Sequence, residues 1–186
     1  MDERKSPGAP GNPGGKKGGR ILTPVAADDP YPVIEVSGPN PQYARMLQID
    51  LASGHSEMTS ITQYIYDSWR LDPRFANVAE TLRRIAMVEM HHLDILGKLI
   101  VLLGGDPKYM AVQQRPQVWN GNMVTYSRQF AAMMRDNILA EQMAIDTYAR
   151  QAEIIRDEHI AALLRRILQD EYIHIELFRQ YLDAAE

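Results

Sequence analysis

Leu82, Ile85, Glu89, His92, Leu96, Leu99 and Leu103 succeed one another in alternating steps of three and four residues. That is the spacing of side chains sharing one face of a helix packed in a bundle. Leu164, Ile167, Glu171, His174, Phe178 and Tyr181 repeat it. In both rows a glutamate and a histidine stand where leucines belong. Unpaired charge buried at such positions costs several kcal/mol per group, so something must compensate it. A bound metal ion is the simplest candidate.

The same periodicity divides the chain into four long helices. Asn40 and Pro41 read as an N-cap and a first helical residue, opening a helix that runs to about Leu71. Asp72-Pro73 repeats the signal for a second helix, which ends near Gly104-Gly105. Residues 106–124 read as a connection. A third helix spans about Thr125 to Arg156, and Asp157 caps a fourth that continues nearly to the end. Strand-like alternation is confined to residues 31–36, which are apolar enough to lie extended against the body.

The helices carry two matched motifs. Leu82-Arg83-Arg84-Ile85 leads to Glu89-x-x-His92, and Leu164-Arg165-Arg166-Ile167 leads to Glu171-x-x-His174, at an offset of 82 residues. A carboxylate and an imidazole three residues apart project from the same side of a helix. Glu57-x-x-x-Ile61-x-x-Tyr64 on the first helix matches Glu141-x-x-x-Ile145-x-x-Tyr148 on the third, at an offset of 84. Glu57 lies 15 residues before Asp72 and Glu89 lies 17 after it, while Glu141 lies 16 before Asp157 and Glu171 lies 14 after it. At about 1.5 Å per residue, the partners in each hairpin meet within roughly 3 Å of one level. Two hairpins packed face to face therefore bring all six groups together. The 19 residues of the connection reach roughly 60 Å if extended, enough to cross the bundle lengthwise and let the second and third helices run parallel.

Composition narrows the chemistry. At 186 residues the chain is long enough for one domain with a sizeable core. It has no cysteine, which removes disulfides, thiolate metal sites and thiol nucleophiles and leaves oxygen and nitrogen as metal ligands. Four carboxylates balance two divalent ions, and mixed carboxylate and imidazole ligands suit iron or manganese better than zinc. The net charge of −4 gives no sign of nucleic-acid binding. Residues 1–30 differ from the rest: half of the 12 glycines fall in the first 20 residues, with five Lys/Arg against Asp2 and Glu3. This stretch is expected to be a disordered Gly/Pro/Lys-rich tail, followed by an extended lead-in over 31–40 and the bundle over 41–186. No signal peptide or membrane-spanning run is evident, so a cytoplasmic protein without membrane contact is expected.

The order Glu, Glu-x-x-His, Glu, Glu-x-x-His over residues 41–186 resembles the ferritin-like di-iron carboxylate superfamily. The Glu-x6-Tyr pairs make it most similar to the rubrerythrin and bacterioferritin branch. The resemblance implies an all-α, ferritin-like four-helix bundle of two antiparallel hairpins joined by a long crossover. It implies that Glu57, Glu89, His92, Glu141, Glu171 and His174 hold two metal ions, iron first and manganese second, with the bridging carboxylates unassigned. Rubrerythrins carry a further glutamate one turn after the third-helix ligand, where this chain has Ala144, and a cysteine-ligated rubredoxin module that it cannot form.

Other residues carry two readings. Tyr64 and Tyr148 either hydrogen-bond the ligand carboxylates and assist electron transfer or simply fill the core beside them. Asp170 either orients His92 as an acceptor behind its ring or is solvated. His91, His55 and His159 lie off the core phase and are expected at the surface. The expected activity is rubrerythrin-like peroxidase or oxidase chemistry on hydrogen peroxide or dioxygen, with electrons from an external donor or from ferrous iron, in a homo-oligomer of two or more chains. Manganese catalase-like dismutation, a ferroxidase or iron store, and a non-enzymatic structural bundle are the alternatives.

Overall fold

The apolar positions read from the sequence collect in two blocks with the charged rows between them. In the computed structural model, which describes residues 23–71, 74–112 and 115–185, one block gathers Leu47, Leu51, Leu96, Leu99, Leu164 and Ile167. The other gathers Tyr64, Leu82, Ile85, Met133, Met134 and Phe178. Each fully buried leucine, isoleucine or phenylalanine in these blocks contributes about 1.5–3 kcal/mol.

Among the described residues the chain forms α1 (Pro41–Ala52), α2 (Glu57–Leu71), α3 (Ala76–Leu102), α4 (Phe130–Ile154) and α5 (Glu158–Asp183). Strands β1 (Met110–Val112) and β2 (Pro116–Val118) lie between α3 and α4. Helix α2 packs along α3 and α4 along α5, and the two hairpins meet through α2 against α4 and α3 against α5. Directions follow from the blocks. Helix α3 passes from Leu82 in one block to Leu99 in the other, and α4 passes from Met133 to Ala152 in the same sense. They are therefore parallel, and the segment between them crosses the bundle lengthwise, as the sequence allowed. Helix α5 runs the opposite way, from Leu164 to Phe178.

Local chemistry sets several ends. Asn40 Oδ1 accepts the Gln42 and Tyr43 amides at 3.0 and 3.1 Å, with Pro41 at the first helical position. Asp157 Oδ1 accepts the His159 amide at 3.1 Å and caps α5. Gly104 has φ of 85°, and a side chain at Gly105 would begin 2.8 Å from Ile100 Cγ2. That pair ends α3 as expected. The expected cap at Asp72-Pro73 lies outside the described residues.

Four expectations change. The helix read as continuous over 41–71 is broken between Ala52 and Glu57. The third helix begins at Phe130 rather than Thr125, because Gln63 holds both the amide (2.7 Å) and the carbonyl (2.8 Å) of Thr125. The connection contains an antiparallel hairpin with Met110 opposite Val118, too short to show a period in sequence. Residues 31–36 lie against the body as read, with Tyr31, Ile34 and Val36 packed on the core and no strand pairing. Residues 23–30, read as part of the tail, lie on the bundle instead. Val25 is buried, and Arg166 donates to the Ala27 and Asp29 carbonyls at 2.9 and 2.7 Å. Hydrogen bonds to the bundle, rather than apolar content, order this stretch.

Candidate metal centre

The break between α1 and α2 positions the first carboxylate. Ser56 Oγ and Thr59 Oγ1 donate to the Ser53 carbonyl at 2.7 and 2.8 Å, which turns the chain out of α1 and into a new helix. Glu57 thus occupies the first turn of α2, where the helix dipole favours a negative charge. Glu89 and His92 lie mid-way along α3, Glu141 along α4, and Glu171 and His174 along α5.

All six groups converge, and none is more than 4 % exposed. Two overlapping sets can each hold an ion: Glu57, Glu89, His92 and Glu171, and Glu89, Glu141, Glu171 and His174, with ligand atoms in each set within 4.8 Å of one another. His92 Nδ1 lies 2.9 Å from Glu89 Oε2, 3.2 Å from Glu171 Oε1 and 3.8 Å from Glu57 Oε2. His174 Nδ1 lies 3.0 Å from Glu89 Oε1, 3.3 Å from Glu171 Oε2 and 3.6 Å from Glu141 Oε1. Each imidazole therefore meets both Glu89 and Glu171 and one further carboxylate of its own. The side-chain geometry separates shared from unshared carboxylates, which the sequence alone did not.

The partners around the six groups hold them in place. His174 Nε2 donates to the Val25 carbonyl at 2.9 Å, which turns Nδ1 toward the centre, where it would offer its lone pair once a metal displaces its proton. His92 Nε2 lies 3.1 Å from Asp170 Oδ2 and 3.1 Å from Tyr31 Oη. Asp170 is fixed in turn by the Tyr31 hydroxyl, the Ala27 amide at 2.7 Å and Arg166 at 2.8 Å. The Arg166 guanidinium also lies 4.1 Å from the centre of the Tyr31 ring. Residues 23–37 thus form a strap behind both histidines. Tyr64 donates to Glu141 Oε1 at 2.5 Å, and Tyr148 donates to Glu57 Oε1, so each tyrosine holds the unshared glutamate of the opposite hairpin.

The electrostatics follow from burial and mutual contact. Burial, then the charge on Glu89, pushes Glu57 well above the usual carboxylate range. Burial and Glu171 do the same to Glu141. Burial opposes charge on the imidazoles, but Asp170, Glu171, Glu57 and Glu89 raise His92 well above its ordinary value. Glu89 and Glu171 raise His174 to about 10, again against its burial. Glu89 is raised by burial and by Glu171, yet the two imidazoles bring it below its ordinary value. They hold Glu171 low as well, against its burial.

The donor set fits a pair of cations. Glu89 Oε1 and Glu171 Oε1 are fully buried and accept no hydrogen bond of good geometry, although each lies beside an imidazole nitrogen. Buried carboxylate oxygens left this way are costly unless a cation meets them. The ligand atoms are all oxygen and nitrogen, as iron and manganese accept.

The remaining sequence candidates fall outside the two sets. His91 is exposed, with its ring 4.6 Å from that of Tyr31. His159 is exposed and lies 3.0 Å from Glu35. His55 is exposed in the break before α2. Sequence reasoning missed Tyr31, because its partners are distant in the chain. It also missed Asp50, although Leu47, Asp50 and Leu51 place a lone carboxylate on the apolar face of α1.

A family model described as Rubrerythrin matches residues 52–182. A bacterioferritin of Streptomyces coelicolor is 31% identical over 135 residues, covering 70% of this chain and 75% of that protein. A probable manganese catalase of Clostridium acetobutylicum is 25% identical over 172 residues, covering 82% and 76%. Among solved structures, a manganese catalase from Anabaena superposes with a TM-score of 0.76 at 24% identity, covering 86% of this chain and 79% of the other. A bacterioferritin of Mycobacterium tuberculosis does so with 0.67 at 24% identity, covering 79% and 87%. The fold is that of these ferritin-like helical bundles.

Proposed function

The chain belongs to the rubrerythrin family, and on that premise we propose that it holds two metal ions between Glu57, Glu89, His92, Glu141, Glu171 and His174 and carries out redox chemistry on hydrogen peroxide or dioxygen. The observation that carries this reading is the sharing of Glu89 and Glu171 between two four-residue sets. Glu89 and Glu171 would be shared by the two ions, and Glu57 and Glu141 would each serve one. A redox-active pair held there would supply two electrons. The protein keeps bulk water out through its two apolar blocks. The strap holds both imidazoles with Nδ1 inward, and Tyr64 and Tyr148 fix one oxygen of each unshared glutamate. In this reading the metal is iron, and an external donor or ferrous iron supplies electrons. The protein acts as a homo-oligomer.

A second reading has a specific observation behind it. The manganese catalases match more of the chain, in sequence and in structure, than the bacterioferritins cited. Manganese in the same ligands would disproportionate peroxide to oxygen and water with no donor. Metal analysis of protein purified without added metal, followed by an oxygen-electrode assay with peroxide, separates the two. Two irons per chain and reductant-dependent peroxide consumption without oxygen release support the first reading. Two manganese ions and rapid oxygen release replace it with the second, and the absence of any bound transition metal refutes both.

A further inference from the structure

The break between α1 and α2 leaves a small cavity of about 20 Å³ against the carboxylates. It is lined by Asp50, His55, Ser60 and Tyr148 together with Glu57, Glu89 and Glu171, and His55, the exposed member of the lining, marks its solvent side. A space of this size holds about one water-sized molecule, which restricts access to the smallest substrates. Ala144 also lines it, and its short side chain leaves the space open. The opposite face, behind the histidines, is covered by the strap.

Asp50 is the unexplained group in this wall. It is 5 % exposed, and its Oδ2 has no hydrogen-bond partner. Gln151 hydrogen-bonds the carboxyl, Arg150 on α4 acts on it at longer range, and its charge is felt by Tyr148. His55 from the break and Glu57 from α2 share the cavity with it. Neither fold nor metal set explains a buried carboxyl here, since the neighbouring positions Leu47 and Leu51 are ordinary core. Burial pushes its pKa from 3.8 to about 7, with Gln151 and Arg150 working the other way, so both protonation states are accessible near neutrality.

We propose that Asp50 carries protons between solvent at His55 and the small molecule in this cavity. The role rests on the peroxide or dioxygen reading above. Reduction of hydrogen peroxide breaks the O–O bond, takes two electrons from the reduced metal pair and two protons from the protein and solvent, and gives two waters. The carboxyl at Asp50 donates one of those protons to a departing oxygen and is reprotonated through the mouth at His55. In dismutation a second peroxide returns two electrons and two protons as it leaves as dioxygen, and Asp50 accepts a proton in that half.

The test uses Asp50→Asn in the full chain, loaded with the metal found in the wild type. Metal content should match the wild type. Turnover with peroxide should fall about 10²-fold, the usual contribution of a positioned acid–base group, and the limb of the pH profile near 7 should vanish. Asp50→Glu should recover at least a tenth of the wild-type rate. Stability of the metal-free proteins gives a readout independent of turnover. A carboxyl with a raised folded pKa destabilises progressively as pH rises from about 4 to about 7, so Asp50→Asn should gain on the wild type across that window. An Asp50→Asn variant with normal loading, undiminished turnover and an unchanged pH profile overturns the proton role. An Asp50→Glu variant as slow as Asp50→Asn overturns it too. A wild type that loads metal but turns over neither peroxide nor dioxygen refutes the functional reading itself, and Asp50's role falls with it.

Discussion

Loading the metal-free protein with divalent metal at pH 7 should release four protons per pair of ions. Without metal, the six groups must balance their own charge. His92 and His174 are raised by the carboxylates around them, His174 to about 10, which favours imidazolium. Glu57 and Glu141 are raised, which favours the neutral acid, while Glu89 and Glu171 are lowered, which favours the charged carboxylate, so the neutral arrangement of the six groups has two of each. Two positive and two negative charges sum to zero. With metal, four carboxylates at −4 face two divalent ions at +4, and both imidazoles are neutral, which again sums to zero. The difference is two imidazolium protons plus two carboxylic-acid protons, or four. The overall constant for binding the pair should then rise about 10⁴-fold per pH unit near neutrality. Calorimetric titration in two buffers of different ionisation enthalpy counts the released protons directly. Release of one proton or fewer would mean that the metal-free site does not compensate itself, and would refute the charge assignment.

Replacing both Glu89 and Glu171 with Ala should abolish loading of either ion, because each serves both sets; retained stoichiometry in metal analysis would refute the sharing. Tyr31→Phe removes a hydroxyl that touches both Asp170 and His92. It should weaken metal binding about 10- to 100-fold in competition with a chelator, the usual effect of losing a group behind a ligating histidine. Asp67 is fully buried between Gln63 and Asn137, and burial pushes it from 3.8 to about 6. It therefore destabilises the fold as pH rises from about 4 to about 6. Asp67→Asn should remove up to about 3 kcal/mol of that penalty above pH 6 and change little below pH 4, as read by denaturant titration at several pH values.

What the sequence revealed and what it hid divide along one line. The rows through Glu89 and His92 and through Glu171 and His174 are periodic over several turns, so the bundle and the height of the site follow from local spacing alone. Asp170 was only half legible: its place beside Glu171 left orienting His92 and solvation equally open, and the fold brings it 3.1 Å from His92. The break after Ala52 was not. It depends on Ser56 and Thr59 side chains bonding one carbonyl, and the helical pattern of apolar positions continues across it. The strap was hidden more deeply. Val25 and Ala27 look like part of a polar tail and Tyr31 like the start of an apolar lead-in, and their partners Arg166, Asp170 and His174 on α5 lie more than 130 residues away. Only contacts across the folded chain reveal that this segment holds both histidines. The identity of the shared carboxylates likewise depends on side-chain conformations, which spacing does not encode.

The most direct measurement is anomalous diffraction from crystals of the metal-loaded protein. Two peaks per chain are expected, both contacting Glu89 and Glu171, one next to Glu57 and His92 and the other next to Glu141 and His174. A single peak, or two peaks that share neither Glu89 nor Glu171, would contradict the dinuclear assignment.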